Sequence, residues 1–184
     1  SDTSSFAIVA IAAGDGMHRL FADLGVHAMV QGGQSMNPSS GDILEGVTRA
    51  NAAFTVVLPN NKNIVLAAEQ ARDLADRKIA VIPTTSVPQG IAAMLAYNPD
   101  FSDSENVEAM SSAIPTVQSG EVTIAVRSAV IEDVEVEQGH ALAVLDGKLV
   151  ASASSTTEAL LEMLRSAAPQ DGSLVTLYHG AAID

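Results

Sequence analysis

From Phe6 to about Tyr97, short apolar runs alternate with stretches of helical period, each closed by a turn or cap signal. Runs such as FAIVAIAA and AFTVVLP are apolar at successive positions, which puts apolar side chains on both faces of a strand. Parallel strands covered by helices on each side have that pattern. The alternation is the rhythm of βαβ units. It predicts strands at Phe6–Ala13, His27–Val30, Phe54–Leu58 and Lys78–Ile82, each followed by a helix. Gly14-Asp15-Gly16 opens the first helix, which stops at Gly25, and Ser39 with Asp42 makes a capping arrangement for Ile43–Ala50. Asn63 is placed to cap Ile64–Ala75, and Pro88 suits the first turn of a helix ending near Ala96.

Beyond Asn98-Pro99 the pattern changes. Ser102 and Glu105 predict a second capping box and a helix to about Ile114, so that residues 100–119 form a helical connection. The runs EVTIAVRSA, VEVEQGHALAVL and KLVASA, with the hairpin signal Asp146-Gly147, predict antiparallel sheet. Ser155 and Glu158 start a helix over Thr157–Ala167, and Leu174–Tyr178 reads as a last strand. The expected fold is α/β: a parallel sheet flanked by helices over residues 1–99, then a smaller, mostly antiparallel β/α portion over residues 120–184.

Composition narrows the functions. With 184 residues, 47% of them hydrophobic, the chain can bury one sizeable core, or a core plus a small subdomain. A net charge of −13 argues against nucleic acid and anionic membrane surfaces as partners, since both are bound through clustered Lys and Arg. Ten acidic residues lie between Asp100 and Asp146 against the single basic Arg127, and they make either a solvated face or an acidic docking surface. The chain has no cysteine, which rules out disulfides, thiolate metal sites and a Cys nucleophile. No apolar stretch approaches the roughly 18 residues of a membrane span, and the N-terminus lacks a signal-peptide layout. A cytoplasmic protein, not an integral membrane one, is expected. The chain starts with Ser and opens straight into a strand-like run, which reads as an excised segment.

The loops GGQSMNPSS, PNNKN and PTTSVPQG each follow a strand and precede a helix, so a parallel sheet gathers them at its carboxyl edge, where open α/β folds bind ligands. They bring together Gln34, Ser35, Asn37, Asn60, Asn61, Lys62, Asn63, Thr84, Thr85, Ser86 and Gln89. These neutral donors and one cation suit a carboxylate or phosphate. They equally suit an edge in which the loops satisfy one another and the helix ends. Gly14-Asp15-Gly16 is open to both readings too, and the fuller GxGxxG and Walker patterns are absent. His18, His27, His140 and His179 are scattered without metal-ligand spacing, and Ser35, Ser39 and Ser86 lack a GxSxG elbow. No catalytic residue and no metal ligand is assigned.

The segments GGQSMNPSSGDIL, LPNNKNI and IPTTSVPQGIAAMLAY resemble the signature stretches of the C-terminal domain of the fatty acid kinase A-type protein, which is dihydroxyacetone-kinase-like, and the resemblance continues through GEVTIAVR and LDGKLVAS. More distantly, MNPSSGDIL and TTSVPQG resemble stretches of the DegV family of fatty-acid-binding proteins, implying a DegV-like fold for the parallel portion. Where DegV proteins carry a Ser-Gly-Thr loop that helps hold a fatty acid carboxylate, this chain has Asn60, Asn61, Lys62 and Asn63. The resemblance there extends to the fold rather than to lipid binding.

In that kinase family a separate N-terminal domain carries ATP and magnesium-binding aspartates, so both cofactors are expected there and none on this chain. Family members also continue beyond HGAAID, which implies that part of the antiparallel portion lies further on. The function implied is non-catalytic: docking a fatty-acid-loaded DegV-type carrier so that the N-terminal kinase domain of the same polypeptide can phosphorylate the fatty acid. A homodimer is left open. The alternative is a small-ligand or lipid-binding module using the polar loop edge. An autonomous phosphotransferase or phosphatase is disfavoured by the missing metal and nucleophile motifs.

Overall fold

The structure, a computed structural model, describes residues 4–33, 36–131 and 134–180. The chain divides into two units, residues 1–119 and 120–184. In the first, the elements run β1 (Ser4–Ala12), α1 (Asp15–Asp23), β2 (Ala28–Gln31), α2 (Ser40–Ala50), β3 (Ala52–Leu58), α3 (Lys62–Leu74), β4 (Lys78–Val81), α4 (Val87–Ala96) and α5 (Asp103–Ala113), closing with a 3-10 turn at Ile114–Thr116. The four strands are parallel in the order β2-β1-β3-β4.

The two-faced strands do what their composition demands. On one face Ile8, Ala10 and Ala12 of β1 and Val56 and Leu58 of β3 pack with Phe21 of α1, Ala93 and Met94 of α4 and Met110 of α5. On the other, Val9, Ile11 and Val57 pack with Ile43 and Val47 of α2 and Ile64, Ala68 and Ala71 of α3. Ala7 through Ala10 are fully buried, which explains why the run shows no polar alternation. Each fully buried Ile, Leu or Val contributes about 1.5–3 kcal/mol relative to an exposed one.

Local signals set the helix starts. The capping box at α2 is complete: Ser39 Oγ accepts from the Asp42 N–H at 3.2 Å while the Asp42 carboxylate accepts from the Ser39 N–H at 2.8 Å. The helix therefore begins at Ser40, three residues before the predicted Ile43, because the box encloses its first turn. Ser102 and Glu105 build the same box at α5. At the start of β2 an imidazole stands in the ladder. His27 Nδ1 accepts from the Ile8 N–H at 3.1 Å, while the His27 N–H donates to the Ile8 carbonyl at 2.9 Å.

The second unit holds β5 (Gly120–Ile124), β6 (Ala129–Ile131), β7 (Val134–Val136), β8 (Ala141–Leu145), β9 (Lys148–Ala153) and α6 (Thr156–Ala167). Strands β5-β8-β9 form an antiparallel sheet, and β6 with β7 a two-stranded one. Ala159 and Met163 of α6 pack on Ala141 and Ala143 of β8. Asp146 and Gly147, at φ 47° and 82°, make the hairpin turn between β8 and β9 that the sequence predicts.

The antiparallel reading holds, with finer divisions, and one expected strand fails. EVTIAVRSA forms β5 and reaches β6 only at Ala129, and VEVEQGHALAVL divides into β7 and β8 where Gly139 at φ 88° turns the chain and the Gln138 N–H donates to Ser128 Oγ at 3.0 Å. The strand expected at Leu174–Tyr178 is not formed: the segment is irregular, with Leu174 92% exposed. A strand needs an edge to pair with, and β propensity does not supply one.

No helix among the described residues is long and apolar enough to cross a membrane.

Candidate functional site

The strand order places a topological switch between β1 and β3, since the chain leaves β1 toward β2 on one side and returns to β3 on the other. In open α/β sheets the crevice at the carboxyl ends of two such strands is where a ligand is held. Here the residue after Pro59 enters it. Asn60 is 6% exposed and its Nδ2 donates to the Ile11 carbonyl at 3.1 Å, bridging the ends of β1 and β3. Its backbone N–H donates to Thr84 Oγ1 at 3.0 Å, and the fully buried Thr84 hydroxyl donates in turn to Asn60 Oδ1 at 2.8 Å.

This closed exchange ties three strand ends together, with each of the polar side-chain atoms of Asn60 and Thr84 in use. Asn60 holds φ 56°, a left-handed conformation that Asn tolerates better than most side chains. Gly90 in α4 completes the node, because a Cβ built there would stand 2.7 Å from Asn60 Cγ. Only a residue without a side chain lets α4 approach this closely.

The neighbouring loop residues are also committed to the fold. Asn61, 7% exposed, is the N-cap of α3, its Oδ1 accepting from the Asn63 N–H at 2.9 Å. The expected cap, Asn63, instead lies exposed in the first helical turn beside Lys62. The left-handed turn at Asn60 sends the chain into extended geometry at Asn61, so the cap falls two residues earlier than the residue pattern suggests. Ser86 caps α4 by accepting from the Gln89 N–H at 3.3 Å and shares a 2.7 Å hydrogen bond with Ser119 Oγ. Gln89 Oε1 accepts from both the Thr85 N–H (2.7 Å) and the Thr85 hydroxyl (3.0 Å).

On the β2 side Gly32 is pressed against Pro38 and Ile11, with a built Cβ 2.6 Å from Pro38 Cδ, and the Gly32 N–H donates to the Ala12 carbonyl at 3.2 Å. Asn37 is exposed, while Gln34 and Ser35 lie outside the described residues. His18 reaches the same edge, its Nε2 donating to the Ala12 carbonyl at 2.9 Å. Gly14 precedes α1 at φ 83° with no side-chain cap.

The sequence-predicted residues thus fall into two sets. Asn60, Asn61, Thr84, Ser86 and Gln89 hold the loops, and Asn37, Lys62, Asn63 and Thr85 face outward. Gly90, Gly32 and Ser119 also shape the site, although the residue pattern does not mark them as site residues. The glycines of the GG and PQG runs are the available signal, whereas Ser119 carries none in sequence. No group of three or more His, Asp or Glu able to hold a metal occurs among the described residues.

Comparison with known proteins decides the family. The model of the FakA-like C-terminal family, the C-terminal domain of fatty acid kinase A-like proteins, matches residues 7–184. The chain belongs to that family. It is 38% identical over 175 residues to Protein YloV of Bacillus subtilis, covering 95% of this chain and 32% of that protein. It is also 38% identical over 180 residues to an uncharacterized protein of Staphylococcus haemolyticus (98% of this chain, 33% of that protein). An uncharacterized protein of Staphylococcus aureus USA300 is 35% identical over 179 residues (97% and 33%). The chain spans about a third of the length of these curated relatives. The family match covers both units, so the Asn60–Thr84 node lies within a FakA-like C-terminal fold.

Proposed function

We propose that this FakA-like domain is a non-catalytic docking platform. It holds a fatty-acid-loaded DegV-type carrier in position while a separate kinase domain, with ATP and magnesium, transfers phosphate to the fatty acid carboxylate. The observation that carries this reading is the filled switch point. Asn60 and Thr84 occupy with their own side chains the crevice that a ligand-binding α/β domain keeps for its ligand. What the edge offers outward is a braced polar surface: Asn37, Lys62, Asn63 and Thr85 on loops pinned by caps and by the node. Rigid polar loops suit recognition of a protein surface, and such a domain contributes orientation rather than chemistry.

Lys62 is the charge on which the reading turns. At the exposed start of α3 it is a cation in a chain of net charge −13, and an ion pair from it to a carboxylate of the carrier would set the register of docking. Lys62→Glu should weaken carrier binding about tenfold, near 1.4 kcal/mol, without changing the fold. Unchanged affinity in that variant, measured by calorimetric titration with loaded carrier, would remove the loop edge from the interface.

A further inference from the structure

The parallel sheet of the first unit ends at β4. Among the described residues no strand lies beyond it in the order β2-β1-β3-β4. The Ile82 N–H donates to the Val57 carbonyl at 3.0 Å, and the register sets Ala80 against Val56. Because successive N–H groups of a strand alternate sides, those of Ile79 and Val81 point away from β3, toward the outer edge. Such a row is a template for a further strand.

Beside this edge runs a groove of about 680 Å³ between β4 and α5. Phe54, Ala80 and Val107 give it an apolar lining, and Ser104, Glu108 and Ser111 of α5 form its wall. The three apolar residues stand at the margin of the core and are only partly buried. A strand added to β4 sends every second side chain to the α5 face of the sheet, where the groove lies. It thus meets a backbone partner and a seat for alternate side chains at one place, the two elements of recognition by strand addition.

Charge selects the occupant. Helix α5 carries Asp103, Glu105 and Glu108 and has no Lys or Arg from Asp103 to Ala113. Among the described residues that line the groove, Lys78 at the start of β4 is the only base, so the α5 wall sets the preference. A second copy joined edge to edge through β4 about a two-fold axis would bring two acidic α5 helices side by side. A strand with basic side chains among its apolar ones meets an opposite charge there instead.

We propose that the outer edge of β4, with the groove beside α5, is a docking site for an extended segment of another protein, basic and apolar at alternate positions, which pairs with Ile79–Val81 as a fifth strand. Asn37, Lys62, Asn63 and Thr85 take no part in it, so the site stands apart from the loop edge and does not depend on carrier docking there.

The test is anisotropy titration of the purified chain into a fluorescein-labelled hexapeptide of alternating lysine and valine, with the glutamate–valine hexapeptide as control and amide hydrogen exchange to locate the contact. The basic peptide should bind about tenfold more tightly than the acidic one. With it bound, the Ile79 and Val81 amides should exchange about tenfold more slowly, while those of α2 keep their rates. Glu108→Lys, at an exposed position, should cut the preference about threefold, and Val81→Pro, which removes an outward N–H but no bond to β3, should weaken binding about fivefold. Equal binding of the two peptides overturns the proposal, as does binding that leaves Ile79 and Val81 at their free rates. A doubled mass in light scattering with these two amides protected before any peptide is added also overturns it, by making a second copy the occupant.

Discussion

Asn60 carries more of the first unit than any loop residue beside it. Replacing it with Ala strands the buried Thr84 hydroxyl and the Ile11 carbonyl and leaves a side chain poorly suited to φ 56°. Asn60→Ala should therefore lower stability by about 2–4 kcal/mol in a denaturant titration. Asn60→Gly loses the same hydrogen bonds but keeps the backbone at ease, so it should be milder by about 1 kcal/mol. Equal losses in the two variants would show that the left-handed backbone carries no cost. His27 acts through its protonation state. Partial burial holds its pKa below the ordinary 6.5, and the Ile8 N–H needs the neutral ring as acceptor. The folded-state pKa is the lower one, so this contribution is intact above 6.5 and is lost as pH falls from there toward the folded value. Denaturation midpoints at pH 7.5 and 5.5 should show a drop that His27→Gln diminishes, and an undiminished drop would place its origin elsewhere.

At the scale of elements, the strands of the first unit are legible because their burial on both faces writes unbroken apolar runs into the sequence. The capping boxes of α2 and α5 are legible because a box is local, spanning four residues. The start of α3 is misread for the opposite reason: its cap is chosen by the conformation of Asn60, which answers to Thr84, 24 positions away. Asn61→Ala should thus cost about 1 kcal/mol and Asn63→Ala less than about 0.5, measured by thermal or chemical unfolding. The reverse order would restore Asn63 as the cap. The carboxyls of Asp42 and Glu105 are held below the usual carboxylate range by Ser39 and Ser102. Their capping contribution persists above that range and fades as pH falls through the lowered values. In the second unit the hairpin turn at Asp146-Gly147 is readable, but the corner at Gly139 is not, because EQGH carries no stronger break signal than its surroundings.

For the whole molecule, the α/β class, the parallel sheet and the smaller antiparallel portion follow from periodicity, and the family follows from the loop segments that the match over residues 7–184 bears out. The state of the candidate site is beyond reach from the sequence. The same Asn, Thr and Ser residues could ring an open crevice or fill it, and the difference rests on contacts among Ile11, Asn60, Thr84 and Gly90 that no local pattern encodes. With the crevice filled from within, the proposed docking function rests on the outward loops. The most direct test is calorimetric titration of the chain, and of the full-length protein, with a DegV-type carrier loaded or empty with fatty acid, at low and high salt. A docking platform should show saturable binding of the loaded carrier that weakens with salt and falls about tenfold in Lys62→Glu. Absence of binding to both the chain and the full-length protein would contradict it.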